Sequence, residues 1–231
     1  PELLASKPNQ VWSWDITNLK GPERGVVFKL YVVIDIFSRY VVAWRVEHFE
    51  KDLLAEELIE IASQRQKIRK NQLAIHSDRG SLMTSTKVTD LYTKLGIEPS
   101  LTRPYVSNDN AYSESQFKTL KYGPSFPSRF GSIEDARQFC RRFFNWYNEE
   151  HYHSGLALLT PSTVHSGAIE DCVQKRQAVL AAAFNRHPER FVKGRSAVKR
   201  PPSEVWINRP ATFEQTKPAT PGDTEVMRSV R

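Results

Sequence analysis

Val11-Trp12-Ser13-Trp14-Asp15 reads as the start of a strand that carries aromatic residues and closes on a carboxylate. Leu73-Ala74-Ile75-His76-Ser77-Asp78 repeats the form, an apolar strand ending in an acid. A third acid, Glu114, stands in Asn108-Asp109-Asn110-Ala111-Tyr112-Ser113-Glu114-Ser115-Gln116-Phe117-Lys118, where a helix is expected to begin near residue 110. The gap between Asp78 and Glu114 holds 35 residues. Two carboxylates at strand ends and one on a helix make an oxygen-rich cage, and hard cations such as Mg²⁺ take oxygen ligands. Two such ions about 3.5–4 Å apart can clamp the attacking and leaving oxygens of a phosphodiester displacement. The pattern points to enzymatic chemistry on nucleic acid.

Outward from these stretches, residues 11–17, 26–36 and 40–46 read as three strands joined by short turns, an antiparallel meander. Residues 52–68 have the spacing of a helix, with Leu54, Leu58, Ile61 and Ala62 as its apolar stripe. A strand at 73–77, a helix at 85–95 stopped by Gly96, and a strand at 97–102 form a crossover unit whose strands should be parallel. Ser132 and Asp135 look like a capping box opening a helix to about 149, and Thr160-Pro161 like the start of a short one. A further helix is expected over 170–184. The prolines beyond 187 suppress regular structure, apart from one short strand at Val205-Trp206-Ile207. The order β-β-β-α-β-α-β-α, with acids on the first and fourth strands, describes an α/β fold: a ribonuclease-H-like mixed five-stranded sheet flanked by helices. A helical C-terminal extension and a basic, Pro-containing tail follow. Residues 1–10 read as a linker, 11–150 as the core, 151–186 as the helical extension and 187–231 as an extended or disordered tail.

The 231 residues suffice for one core and an appendage. Formal net charge is +7, unevenly placed. Residues 186–231 hold 10 Lys/Arg against 5 Asp/Glu, whereas the body is nearly neutral. A basic tail suits a phosphate backbone as well as solubility, and the three acids favour the former. Cys140 and Cys172 form no metal-type pair, which suits a reduced intracellular protein. No apolar run approaches the ~20 residues of a membrane span, and no signal peptide is visible. The chain begins at Pro1 rather than Met, as a piece of a longer protein would.

These residues carry a family resemblance. Val11-Trp12-Ser13-Trp14-Asp15-Ile16-Thr17, Val33-Ile34-Asp35-Ile36-Phe37-Ser38-Arg39, His76-Ser77-Asp78-Arg79-Gly80 and Glu114 together resemble the integrase catalytic core. More narrowly, they are similar to bacterial insertion-sequence transposases of the retroviral-integrase-like group. Trp146-Tyr147-Asn148-Glu149-Glu150-His151-Tyr152-His153-Ser154-Gly155-Leu156 and Thr160-Pro161 are similar to that group's C-terminal signature. The resemblance implies a DDE polynucleotidyl transferase with Asp15, Asp78 and Glu114 as catalytic residues and ligands of two Mg²⁺ or Mn²⁺ ions. In that family the counterpart of Asp15 contacts both ions. The chemistry implied is nicking of a DNA 3′ end, then direct attack of the freed hydroxyl on a second strand. The partners implied are transposon ends and target DNA, with a homodimer or higher oligomer assembled on them, in a bacterial cytoplasm. Rival expectations are a ribonuclease-H-like nuclease that only hydrolyses and a DNA-binding regulator without catalysis. The family's N-terminal helix-turn-helix has no counterpart in these residues, so sequence-specific binding is not expected of them.

Other side chains invite two readings each. Asp35 also ends a strand, but bracing the turn with Ser38 and Arg39 is the favoured role. His76 shares a strand face with Asp78. It could touch the site or be a packed, hydrogen-bonded histidine. His151 and His153 lack a third ligand at zinc spacing and read as structural or close to DNA. Lys118 and Lys121 fall on the helix face of Glu114, where they are expected to hold DNA. Arg103, Asn108 and Asn110 could grip DNA or merely cap and turn the chain.

Overall fold

A computed structural model describes residues 2–104 and 106–210. Its principal sheet has five strands in the order β4-β3-β2-β5-β6. These are β2 (Val11–Lys20), β3 (Val27–Asp35), β4 (Val41–Glu47), β5 (Ala74–Ser77) and β6 (Glu98–Leu101). β2, β3 and β4 pair antiparallel, while β5 and β6 run parallel to β2, linked by helix α2 (Thr86–Leu95). This is the ribonuclease-H-like mixed sheet expected from the order of elements.

Alternation along the strands builds a core on each face. Trp12, Trp14, Tyr31 and Val33 pack against α2 and α1 (Asp52–Arg65) through Ala55, Ile59, Val88 and Leu91. Leu19, Leu30, Val32 and Ile34 pack on the opposite face, against α3 (Ala111–Lys121) and α4 (Ile133–Glu149) through Phe117, Leu120, Cys140 and Phe144. Trp12 and Trp14 are wholly buried. Truncating either to Ala would cost about 3–5 kcal/mol. Ser132 caps α4 by accepting the N–H of Asp135 at 3.1 Å, and Thr160 caps α5 (Pro161–His165) by accepting that of Thr163 at 3.2 Å. Helix α6 (Ile169–Arg186) completes the helical C-terminal region.

Two expectations change. Asp15 does not close its strand: β2 runs on to Lys20 because β3 pairs with it all the way from Asp35 to Val27. Residues 1–10 are more than a connection. Strand β1 (Leu3–Ala5) pairs antiparallel with β7 (Val205–Ile207), and Ala5, Val205 and Ile207 are buried with Val11, Ile36 and Leu156. The short strand expected in the tail is therefore present, and it is held by the chain's other end. The rest of the expected arm, 211–231, lies outside the described residues. Among the described residues, no helix is long and apolar enough to cross a membrane.

Candidate active site

Parallel pairing sets Val11, Trp12 and Ser13 opposite Ala74, Ile75 and His76. Continued two places, that register brings Asp78, just past the end of β5, level with Asp15. The registered pairing with β5 stops at Ser13, two residues before Asp15. Glu114 arrives from the first turn of α3, where a carboxylate suits the positive helix end.

Burial pushes the Asp15 carboxyl up to about 6; the Ile16 N–H and the Asn110 amide oppose this, while the charges of Asp78 and Glu114 add to it. Its Oδ1 accepts the Ile16 N–H at 2.7 Å and its Oδ2 accepts Asn110 Nδ2 at 2.8 Å. Asp78 Oδ1 accepts the N–H of Gly80 at 2.9 Å. A Cβ at residue 80 would sit 3.0 Å from that oxygen and 3.2 Å from Met83 Sδ, so glycine lets the loop fold over the carboxylate. Among the described residues, no three His, Cys, Asp or Glu groups converge closely enough to coordinate an ion as they stand. The donor set itself, all carboxylate oxygen with two acids raising the third, fits a hard divalent cation.

Glu114, Lys118 and Lys121 make one exposed stripe along α3, flanked on one side by the buried Ser113, Phe117 and Leu120. Lys121 Nζ donates to Thr17 Oγ1 at 2.5 Å, two residues along β2 from Asp15, whose charge acts on it. Lys121 is thus placed beside the carboxylates, with Lys118 between it and Glu114 on the stripe.

Other expected site residues turn inward. His76 is wholly buried, Nδ1 3.0 Å from Ser100 Oγ and Nε2 3.0 Å from the Asp109 carbonyl. The carbonyl can only accept, so Nε2 carries the proton and Nδ1 accepts from Ser100. His76 therefore braces the turn Ser107–Asn110 that leads into α3. Arg103 forks onto buried Asp109, Nη2 to Oδ1 at 2.8 Å and Nε to Oδ2 at 3.0 Å, and Asn208 Nδ2 donates to the same carboxylate at 3.0 Å. Those bonds hold the Asp109 carboxyl well below the usual range. Arg103 thus braces the turn while its side chain stays half-exposed. Asn110, read from sequence as a possible DNA contact, is 6% exposed and points at Asp15. The side chain of Asn108 lies outside those described.

Asp35 stands away from the carboxylate group. Its Oδ1 accepts the N–H and Oγ–H of Ser38, each at 2.7 Å, and its Oδ2 accepts the N–H of Asn9 at 2.7 Å. Ser38 Oγ lies 2.9 Å from His165 Nδ1, and His165 Nε2 2.9 Å from Gln66 Oε1. Asp35 thus joins β3 to α1 and α5. His153 Nδ1 accepts the Gly155 N–H at 3.0 Å, and His151 stacks on Tyr147 at 5.4 Å.

Ser13, Ser113 and Gly80 escaped the sequence reading as site residues. The available signal was a serine two positions before Asp15 in an otherwise apolar strand, on the same face as the acid.

Acids carried on β2, just past β5 and early in α3 of a ribonuclease-H-like mixed sheet mark the class of integrase-type cores. Family comparison is narrower: Integrase core domain matches residues 5–107 and, in a second form, residues 95–161. The chain belongs to the DDE transposase/integrase family. It is 32% identical over 158 residues to the transposase for insertion sequence element IS904 of Lactococcus lactis, covering 68% of this chain and 61% of the relative. It is also 32% identical over 161 residues to transposase InsF for insertion sequence IS3A of Escherichia coli, covering 69% of this chain and 55% of the relative. The chain thus spans little more than half the length of these curated relatives. Among solved structures, the HTLV-2 integrase catalytic core domain in complex with magnesium shares the fold at TM-score 0.53 and 17% identity, over 69% of this chain and 97% of that one. A chain in the structure of the simian T-cell lymphotropic virus intasome in complex with PP2A regulatory subunit B56 gamma does so at TM-score 0.56 and 21% identity, over 70% of this chain and 55% of that one.

Proposed function

We propose that this chain is the catalytic domain of a DNA transposase, nicking DNA at element 3′ ends and joining them to a target by direct transesterification. The observation that carries the reading is Asp15 on β2 level in register with Asp78 just past β5, with the charges of Asp78 and Glu114 both acting on Asp15. Membership of the family and the insertion-sequence relatives support it. The three carboxylates would hold Mg²⁺ or Mn²⁺, two ions per site. Bound there, the ions would activate the attacking oxygen and stabilise the leaving one. Asp15 stands on the central strand with one hydrogen bond to each oxygen, Asp78 accepts the Gly80 N–H, and Glu114 comes from the first turn of α3. Assembly as a dimer or higher oligomer on DNA, and a division into core 11–150, helical extension 151–186 and basic tail, belong to the same proposal.

The test is a labelled 3′-end oligonucleotide incubated with Mg²⁺, scored for nicked and joined products. Both products are expected from the full-length protein. Nicking without joining would favour a hydrolytic nuclease, and metal-independent binding alone a regulator.

The Lys118–Lys121 stripe would hold the phosphates flanking the scissile bond, which positions DNA without reading its sequence. Changing both to Ala is expected to weaken binding about equally across sequences and to lower the salt slope by roughly 0.9 per lost contact. Affinity measured against salt for wild type and the double variant checks this. An unchanged slope would reduce the stripe to a solvated face.

A further inference from the structure

Ser13 precedes Asp15 by two residues on β2, so both side chains leave the same sheet face toward the start of α3. Between them and the helix lies a closed polar chain. Ser13 Oγ is 2.8 Å from Ser113 Oγ and donates to Asn110 Oδ1 at 3.0 Å; Asn110 Nδ2 donates to Asp15 Oδ2 at 2.8 Å. The proton order is fixed by chemistry. An ionised carboxylate only accepts, so the Asn110 NH₂ must face Asp15 and its carbonyl must face Ser13. Ser13 spends its proton on that carbonyl, leaving its oxygen to accept from Ser113. Ser13, Ser113 and Asn110 are 1%, 3% and 6% exposed, so water competes little for these bonds.

We propose that Asn110 is a positioning residue for Asp15, locked by Ser13 and Ser113, that fixes the carboxylate plane and ties it to the helix bearing Glu114. This rests on the carboxylate reading above and adds a role no carboxylate supplies. An amide donor occupies one lone pair of Oδ2 and leaves the other for a cation. Being neutral, it does not repel that cation, as a lysine or arginine at the same place would. Asn110 stands one turn before Glu114, so the same bond sets β2 against α3 and thereby the spacing of two of the three acids.

The test is Mn²⁺ binding to the 231-residue chain by calorimetry, below the melting range of each variant, with circular dichroism confirming the fold. Asp15→Asn is the control. If wild type binds no Mn²⁺, or Asp15→Asn binds as tightly as wild type, the carboxylate reading falls and this proposal with it. If wild type binds and Asp15→Asn does not, Asn110→Ala is expected to bind about tenfold more weakly. Ser113→Ala, at the far end of the chain, should bind about threefold more weakly. Wild-type affinity in a folded Asn110→Ala variant overturns the proposal. Should Asn110→Ala fail to fold, Ser113→Ala decides: weaker binding supports the positioning role, and unchanged binding overturns it.

Discussion

Asp15→Asn, Asp78→Asn and Glu114→Gln are each expected to lower nicking and joining by about 1,000-fold or more, since losing a metal ligand forfeits several kcal/mol of transition-state stabilisation. The fold should survive each change, and Asp15→Asn should stabilise it in chelator at pH 7. The Asp15 carboxyl titrates near 6 in the folded chain, above its ordinary 3.8. Ionisation therefore costs more folded than unfolded, and stability falls as pH rises from about 4 through 6. Above that window the charge costs up to about 3 kcal/mol. An amide recovers this less about 1 kcal/mol, because its NH₂ must meet either the Ile16 N–H or the Asn110 NH₂. Thermal melts should show the variant above wild type at pH 7 and level with or below it at pH 4. Near-full nicking by any of the three variants would remove that residue from the catalytic group.

Asp35 should behave in the opposite way. Its carboxylate is buried and receives three donors from Ser38 and Asn9. Asp35→Ala strands all three, with His165 left facing an unanchored serine. The expected loss is about 3–5 kcal/mol, a fall in Tm of roughly 10 °C, the same with or without divalent ions. The His165 ring stacks on Tyr40 at 4.4 Å, so the damage should spread to the seating of α5. A melt unchanged by Asp35→Ala would show the network to be incidental. Burial raises both carboxyls, and the two acids differ in their partners: truncating Asp35 strands three donors from Ser38 and Asn9, whereas an amide at Asp15 loses only one favourable contact.

The central strands were legible because their signals are local. Trp12 and Trp14 alternate with Ser13 and Asp15, and the valine-rich run 26–36 has no helical period. The placing of Asp15 on a strand, Asp78 just past another and Glu114 early in a helix was legible through motif and spacing. The end of β2 was not, because Asn18-Leu19-Lys20 has little strand propensity of its own and is extended by pairing with β3. Asn110 was misread for a similar reason. An asparagine before a helix carries the same local signal whether it caps, reaches solvent or turns inward, and only the approach of β2 decides. Arg103 offered a charge without showing that Asp109, six residues on, would claim it. Three-residue strands such as β1 and β7 leave too little pattern to read across so long a separation.

That last pairing governs the order in which the molecule comes together. Joining Leu3 to Ile207 closes a loop of about 200 residues, an entropic cost of roughly 5 kcal/mol on an unfolded chain. Three residue pairs and a few buried aliphatic side chains offset that only once the sheet has brought the two ends close. The clasp is thus a late-forming contact of very high sequence separation and, on the way back, an early one to open. Its release would not stay at the periphery. Tyr112 donates its hydroxyl to the Trp206 carbonyl at 2.8 Å, and Asn208 holds Asp109, so the same segment grips both sides of the entrance to α3. Fraying of the chain's far ends is therefore felt at the base of the helix that presents Glu114.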